Sequence, residues 1–160
     1  MRISTFAVPL VWIVLHSAAA AAAGPSLPPA PGPKERCPVC GMFVGRDRSW
    51  LAAIAFKDGT SAFFDGPKDL FRYAAEPGRY TKGRSAPDLK AVYVTEYYSA
   101  RLTPAEGLYY VVGSDVLGPM GRELVPVAGK EQSETFRVDH QGKRILRFRD
   151  ATLEELGRLE

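Results

Sequence analysis

The sequence predicts an α+β fold with weak internal duplication. Three observations carry that reading. The tetrapeptide Lys57-Asp58-Gly59-Thr60 is a hairpin signal between two short apolar runs, because Asp-Gly readily takes the positive φ a tight turn demands. A segment with apolar residues at helical spacing follows it directly. The same strand–strand–helix order recurs, more loosely, between Leu108 and Val138.

Taken in order, the first 23 residues read as an export signal. Arg2 gives a short positive start, and Phe6 to Leu15 is an apolar stretch too short to span a bilayer. Ala18 to Ala23 supplies the small side chains of a cleavage site. The expected compartment is therefore the periplasm. No cysteine stands near the cleavage region, so no lipid anchor is expected. Residues 24–35 carry Pro25, Pro28, Pro29, Pro31 and Pro33 and read as an extended linker. The folded domain is expected over 36–160, with sub-units of about 36–100 and 101–160.

Within it, Trp50 to Phe56 and Ser61 to Phe64 read as the paired strands. Asp65 reads as a cap for a helix with Pro67 in its first turn, where a missing N–H costs nothing. Leu70, Phe71 and Ala74 carry that helix to about Ala75, and Glu76-Pro77-Gly78 ends it. Tyr80 to Pro87 reads as a polar loop. Lys90 to Tyr97 alternates as a strand, with Glu96 at its end beside Tyr97 and Tyr98. Leu108 to Val112 reads as a short strand, Gly113 to Gly121 as a glycine-bearing loop, and Glu123 to Val127 as another strand. Lys130 to Val138 reads as a helix, Gln141-Gly142 as a turn, Lys143 to Phe148 as a strand, and Thr152 to Leu159 as a helix capped by Thr152.

Composition narrows the function. Of 160 residues, 46% are hydrophobic and 24% charged, an ordinary globular balance. The formal net charge of +3 is spread among interleaved charges such as Arg46-Asp47-Arg48, so no nucleic-acid partner is expected. No serine, histidine and acid set follows a nucleophile pattern, and no Gly-rich phosphate loop is present. The expectation is a binding protein rather than an enzyme.

The chemistry-bearing segment is Cys37-Pro38-Val39-Cys40-Gly41-Met42, with three sulfur side chains in six residues. Soft thiolate and thioether donors select Cu(I). A Cys-x-x-Cys pair by itself also fits a redox couple, a structural disulfide or half a zinc site. Zinc usually takes four ligands, and beyond the leader the chain offers His140 alone among histidines. A redox site would follow a strand and open a helix, whereas this motif follows a proline-rich linker. Met120 sits in Gly118-Pro119-Met120-Gly121, where Pro119 fixes φ and flanking glycines leave the thioether poorly shielded. His140 reads as a turn residue or a ligand, and Asp65 and Asp115 as caps or turn formers.

These residues resemble the NosL family. Cys40-Gly41-Met42, Trp50-Leu51-Ala52, Phe56-Lys57-Asp58-Gly59, Phe63-Phe64-Asp65-Gly66-Pro67 and Leu70-Phe71-Arg72-Tyr73 are similar to its first half. Val112-Gly113-Ser114-Asp115-Val116, the run from Gly118 to Pro126, and His140-Gln141-Gly142-Lys143 are similar to its second. The resemblance implies two related ββαβ units packed together, a fold shared with organomercurial lyase. It implies a periplasmic Cu(I) metallochaperone that serves nitrous oxide reductase or a related copper enzyme. The implied partners are that enzyme and a membrane ABC-type transporter complex, with weak dimerisation a further expectation. The implied ligands are Cys40 and Met120; one further weak ligand is expected from Met42, His140, Cys37 or water. A Cys37–Cys40 thiol–disulfide oxidoreductase and an organomercurial-lyase-like enzyme are the alternative readings. The chain departs from the family pattern in lacking a lipid-modified cysteine, in Glu96 where aspartate is common and in Val127 where phenylalanine is common.

Overall fold

The computed structural model describes residues 27–159; the expected leader, 1–23, and linker positions 24–26 lie outside the described residues. Strand β1 (Ala52–Phe56) begins two residues after Trp50, because Arg48–Trp50 forms a 3₁₀ turn. The Asp47 carboxylate caps that turn by accepting from the Ser49 amide at 3.0 Å. The hairpin turn at 57–60 leads into β2 (Ser61–Phe64), as expected.

Helix α1 (Pro67–Ala75) buries Leu70, Phe71 and Tyr73. Its N-cap is Gly66, which has no side chain to cap it. Asp65, expected to do so, points elsewhere. Glu76 ends α1, but Pro77 then occupies the first position of a further turn, α2 (Pro77–Tyr80). Strand β3 (Leu89–Glu96) pairs with the other edge of β1. Strand β4 (Arg101–Pro104), which pairs with β3, was not expected from the sequence. It is a four-residue edge strand with no alternating apolar face, and it closes on a proline, which an edge tolerates.

The second half corrects one expectation. Strand β5 (Tyr109–Gly118) continues through the segment read as a loop and turns at Pro119-Met120 into β6 (Gly121–Val127). A register irregularity between Val112 and Leu117 absorbs the glycine, serine and aspartate that break the apolar alternation. Then follow α3 (Lys130–Asp139), β7 (Arg144–Arg147) and α4 (Leu153–Gly157). Thr152 caps α4 as expected, accepting from the Glu155 amide at 3.4 Å.

The first sheet has the order β2-β1-β3-β4 and the second β6-β5-β7, all antiparallel. In each, the first strand of the unit is central, the second lies on one side, and the strand after the helix lies on the other. The two units are thus topological repeats of ββαβ, with β4 added to the first. Alternation along β5 shows how they pack. Tyr110 and Val112 enter the main core with Ile54, Phe64, Leu70, Tyr93 and Leu124. Val111 faces the opposite way, into a smaller cluster with Val125, Val127 and Phe136 of α3. The second sheet is therefore covered on both faces, by the first unit and by its own helix. One backbone hydrogen bond, from the Tyr97 amide to the Pro126 carbonyl at 2.9 Å, ties the units directly. Among the described residues, no helix is long and apolar enough to cross a membrane.

Candidate metal centre

The cysteine segment folds into a tight knuckle. Arg36 and Phe43 form an antiparallel bridge, the Cys37 amide donates to the Met42 carbonyl at 2.8 Å, and the Gly41 amide returns to the Cys37 carbonyl at 2.9 Å. Gly41 takes φ 78°, a left-handed conformation that a side chain at this position would resist. The Arg36 guanidinium lies 3.8 Å from the Phe43 ring centroid and donates to the Gly41 carbonyl at 2.7 Å, clamping the base of the knuckle.

The knuckle presses both thiols against the start of α1. Cys37 Sγ lies 3.5 Å from Asp69 Oδ2 and Cys40 Sγ 3.2 Å from Asp65 Oδ1. The four donor atoms of Cys37, Cys40, Asp65 and Asp69 lie within 4.8 Å of one another. Cys37, Asp65 and Asp69 are buried and Cys40 is half-buried. Both cysteines are free thiols. Burial pushes the Cys37 thiol up to about 11, and the Asp69 and Asp65 charges add to this against the backbone hydrogen bonds of Cys40 and Val39. The Cys40 thiol is raised further, again by burial first, then by its hydrogen bonds to Asp69 and Asp65 and the nearby Cys37. Each thiol therefore keeps its proton and donates it to a carboxylate. Asp65 Oδ2 is buried and accepts no hydrogen bond. A buried carboxylate oxygen without a donor is costly, and a cation in the cluster would satisfy it. Two soft sulfurs beside two hard oxygens form a mixed donor set of the kind a metal ion uses.

Met120 occupies the turn between β5 and β6, 45% exposed. Lys68, in the first turn of α1 and itself buried, anchors that turn. Its Nζ donates to the Met120 carbonyl at 2.9 Å, and its backbone amide donates to Glu123 Oε1 at 2.5 Å. Position 68 lies between Asp65 and Asp69 in the chain, so the methionine turn of the second unit is fastened to the helix that bears the carboxylates. Glu123 is 3% exposed; burial pushes its carboxyl up to about 8, against the amides of Leu124 and Lys68 and the Lys68 charge, with the Asp69 charge adding to the rise.

The other residues singled out lie as follows. Met42 is half-buried within the knuckle and contributes its carbonyl to it. His140 stands at the end of α3, where its Nδ1 lies 3.0 Å from Asp115 Oδ1 and its ring stacks on Phe136 at 4.2 Å. It is not among the donors grouped around the thiols. Asp115 thus partners His140 from within β5. Glu96 accepts from the amides of Tyr98, Ser99 and Ala128 at 3.3, 2.8 and 3.3 Å. Burial raises its pKa, but these hydrogen bonds outweigh it and hold the carboxyl below its ordinary value. Asp65 and Asp69 were not expected as partners of the cysteines. The available signal was their separation of four residues across a helix start, which sets both on one side of it.

Fold and site together define a small two-unit α+β protein with a thiol–carboxylate cluster that could hold a metal ion. A model of the NosL family matches residues 28–156, and the chain belongs to that family. Among solved structures it is similar to the crystal structure of the copper chaperone NosL from Shewanella denitrificans, with a TM-score of 0.66 and 23% identity over 82% of this chain and 99% of that one. It is also similar to the solution NMR structure of apo-NosL from Achromobacter cycloclastes, with a TM-score of 0.47 and 25% identity over 66% of this chain and 87% of that one. No curated protein matches the sequence.

Proposed function

We propose that this protein is a periplasmic Cu(I) metallochaperone that carries copper for the maturation of nitrous oxide reductase or a related copper enzyme. A membrane ABC-type transporter complex is its partner in that task. Membership of the NosL family supports the reading, and the Shewanella denitrificans protein whose fold it shares is itself named a copper chaperone. The observation that carries it is the pair of free thiols, each hydrogen-bonded to a buried carboxylate, at the helix to which the Met120 turn is fastened.

Copper is the cargo. The Cys40 thiolate and the Met120 thioether are its principal ligands, with Cys37 or Met42 adding a weaker one. On arrival Cu(I) displaces the Cys40 proton, and Asp65, already accepting that hydrogen bond, is placed to receive it. The two principal ligands come from different units, so the site opens when the exposed turn moves away. An incoming ligand of the recipient then enters before Cys40 leaves. Raised thiol pKa values work against the oxidoreductase reading, because attacking redox cysteines carry lowered ones.

The test is a competition titration of the reduced protein against a chromophoric Cu(I) chelator. Cys40→Ser is expected to weaken Cu(I) binding by about 100-fold or more, since it removes the principal charged sulfur donor. Unchanged affinity would overturn the ligand assignment. A second reading draws on the same cluster, since thiols beside a carboxyl acid are what cleavage of a carbon–mercury bond needs. Turnover of a simple alkylmercury compound would favour it over copper delivery.

A further inference from the structure

The sequence shows no block of positive charge, yet the fold assembles one. Arg122 comes from β6, Lys143 from the residue before β7, Arg144 from the start of β7, and Arg158 from the residue after α4. All four line a single cleft of about 190 Å³, floored by Gly113 of β5. An adjoining cleft of about 550 Å³ shares Gly113, Arg122 and Lys143 as walls and adds Ser114.

The charges there do not balance. Glu155 pairs with Arg144 at 2.5 Å and also with Arg158, and Glu154 pairs with Arg158 at 2.5 Å. Arg122 and Lys143 have no acidic partner among the described residues. Asp115, the acid on the second cleft, is engaged by His140. Lys143 is held to the cleft by close packing. Its stem lies so near Gly113 that a Cβ there would meet Lys143 Cγ at 2.9 Å. Ser114 is 5% exposed, and its Oγ has no hydrogen-bond partner. A buried hydroxyl without a partner beside two uncompensated cations is a donor set lacking its acceptor.

We propose that the junction of these two clefts, at Gly113, Arg122 and Lys143, is a binding site for a phosphate-type oxyanion, either free or as a lipid headgroup. Arg122 and Lys143 supply the charge from the walls both clefts share, Ser114 supplies a neutral donor from the second cleft, and the ion-paired Arg144 and Arg158 line the first. Such oxygens take charge-assisted hydrogen bonds from guanidinium and ammonium groups and leave room for a hydroxyl donor. The site lies on the hairpin that bears Met120 but uses none of the proposed copper ligands, so it stands or falls separately from the copper reading.

The experiment is an amide NMR titration of the ¹⁵N-labelled protein with inorganic phosphate, set against sodium chloride at matched ionic strength. Saturable shifts at Gly113, Ser114 and Lys143 with phosphate alone are expected. The double variant R122Q/K143Q should weaken phosphate binding by about tenfold or more, and Ser114→Ala by a smaller factor. Ser114→Ala leaves the cations in place and keeps the test valid if the double variant folds poorly. Equal shifts with chloride, or unchanged phosphate binding in both variants, would overturn the proposal. Co-sedimentation with phosphatidylglycerol vesicles but not phosphatidylcholine vesicles, lost in the same variants, assigns the oxyanion to a headgroup. Phosphate binding without co-sedimentation assigns it to the free ion.

Discussion

The sharpest energetic consequence of this fold concerns Glu123, the carboxyl that helps fasten the Met120 turn to α1. Its pKa stands at about 8 in the folded protein against an ordinary 4.5, chiefly through burial. Below pH 4.5 the group is protonated in both folded and unfolded chains and does not affect their balance. Between 4.5 and 8 the unfolded chain gives up the proton and the folded one keeps it, so stability falls by ~1.4 kcal/mol per pH unit. Above pH 8 the accumulated cost reaches about 5 kcal/mol, as large as the whole stability of many domains. Glu123→Gln retains an acceptor for the amides of Lys68 and Leu124 and removes the titration. The assay is urea unfolding of both proteins across this pH range. The variant is expected to gain on the parent as pH rises from 4.5, with the gain levelling off above 8. Any difference in how the amide fits shifts the two curves by a constant and leaves the slope intact. Parallel curves would refute the claim that Glu123 is buried as a neutral acid.

Three further outcomes follow from the site and core. Met120→Leu, which keeps the volume but removes the thioether, is expected to weaken Cu(I) by about tenfold in chelator competition while leaving the melting temperature unchanged; an unchanged affinity would take Met120 out of the site. A Cys37 pKa of about 11 against 9.0 lowers its thiolate fraction about 100-fold at neutral pH, so iodoacetamide labelling followed by mass spectrometry should be slow in the folded protein and fast in urea, and equal rates would contradict the buried, protonated thiol. The Tyr110 hydroxyl donates to the Ala105 carbonyl at 2.7 Å inside the core, so Tyr110→Phe should cost about 1 kcal/mol in urea unfolding, and a neutral or stabilising result would show that the bond has no net value.

How much of this was legible beforehand depended on the range of the interaction. In the first unit, burial on a face writes itself into the chain as period: β2, the body of α1 and β3 lie where alternation or helical spacing set them. The same logic misled at Gly113-Ser114-Asp115, where a bulge lets polar and glycine residues continue a strand that local pattern reads as a loop. Edge strand β4 left no trace for a different reason, since it buries no continuous face. The site followed the same division. The two cysteines and Met120 were visible as sulfur side chains, but Asp65 looked like a cap because local spacing does not separate a cap from a carboxylate that accepts from a thiol. Only the fold of the knuckle, which carries Cys40 across 25 residues of chain to the Asp65 carboxylate, distinguishes the two roles.

The duplication accounts for the position of the proposed site at the contact between units. A single ββαβ unit has a sheet with one face on its helix and one face bare. Here the bare face of the second sheet, through Tyr110, Val112 and Leu124, closes the core of the first unit. That packing delivers the β5–β6 turn to the N-terminal end of α1, where Lys68 and Glu123 lock it by two hydrogen bonds. Burial and exposure are then divided between the halves. The thiols and carboxylates are set by the knuckle and the first unit, three of the four residues buried. The thioether rides on an exposed two-residue turn, fastened to α1 through the buried Glu123 on one side and through its own carbonyl on Lys68. The proposed carrier role needs this asymmetry, because a donor set buried on all sides would bind its cargo without a route for a recipient to take it.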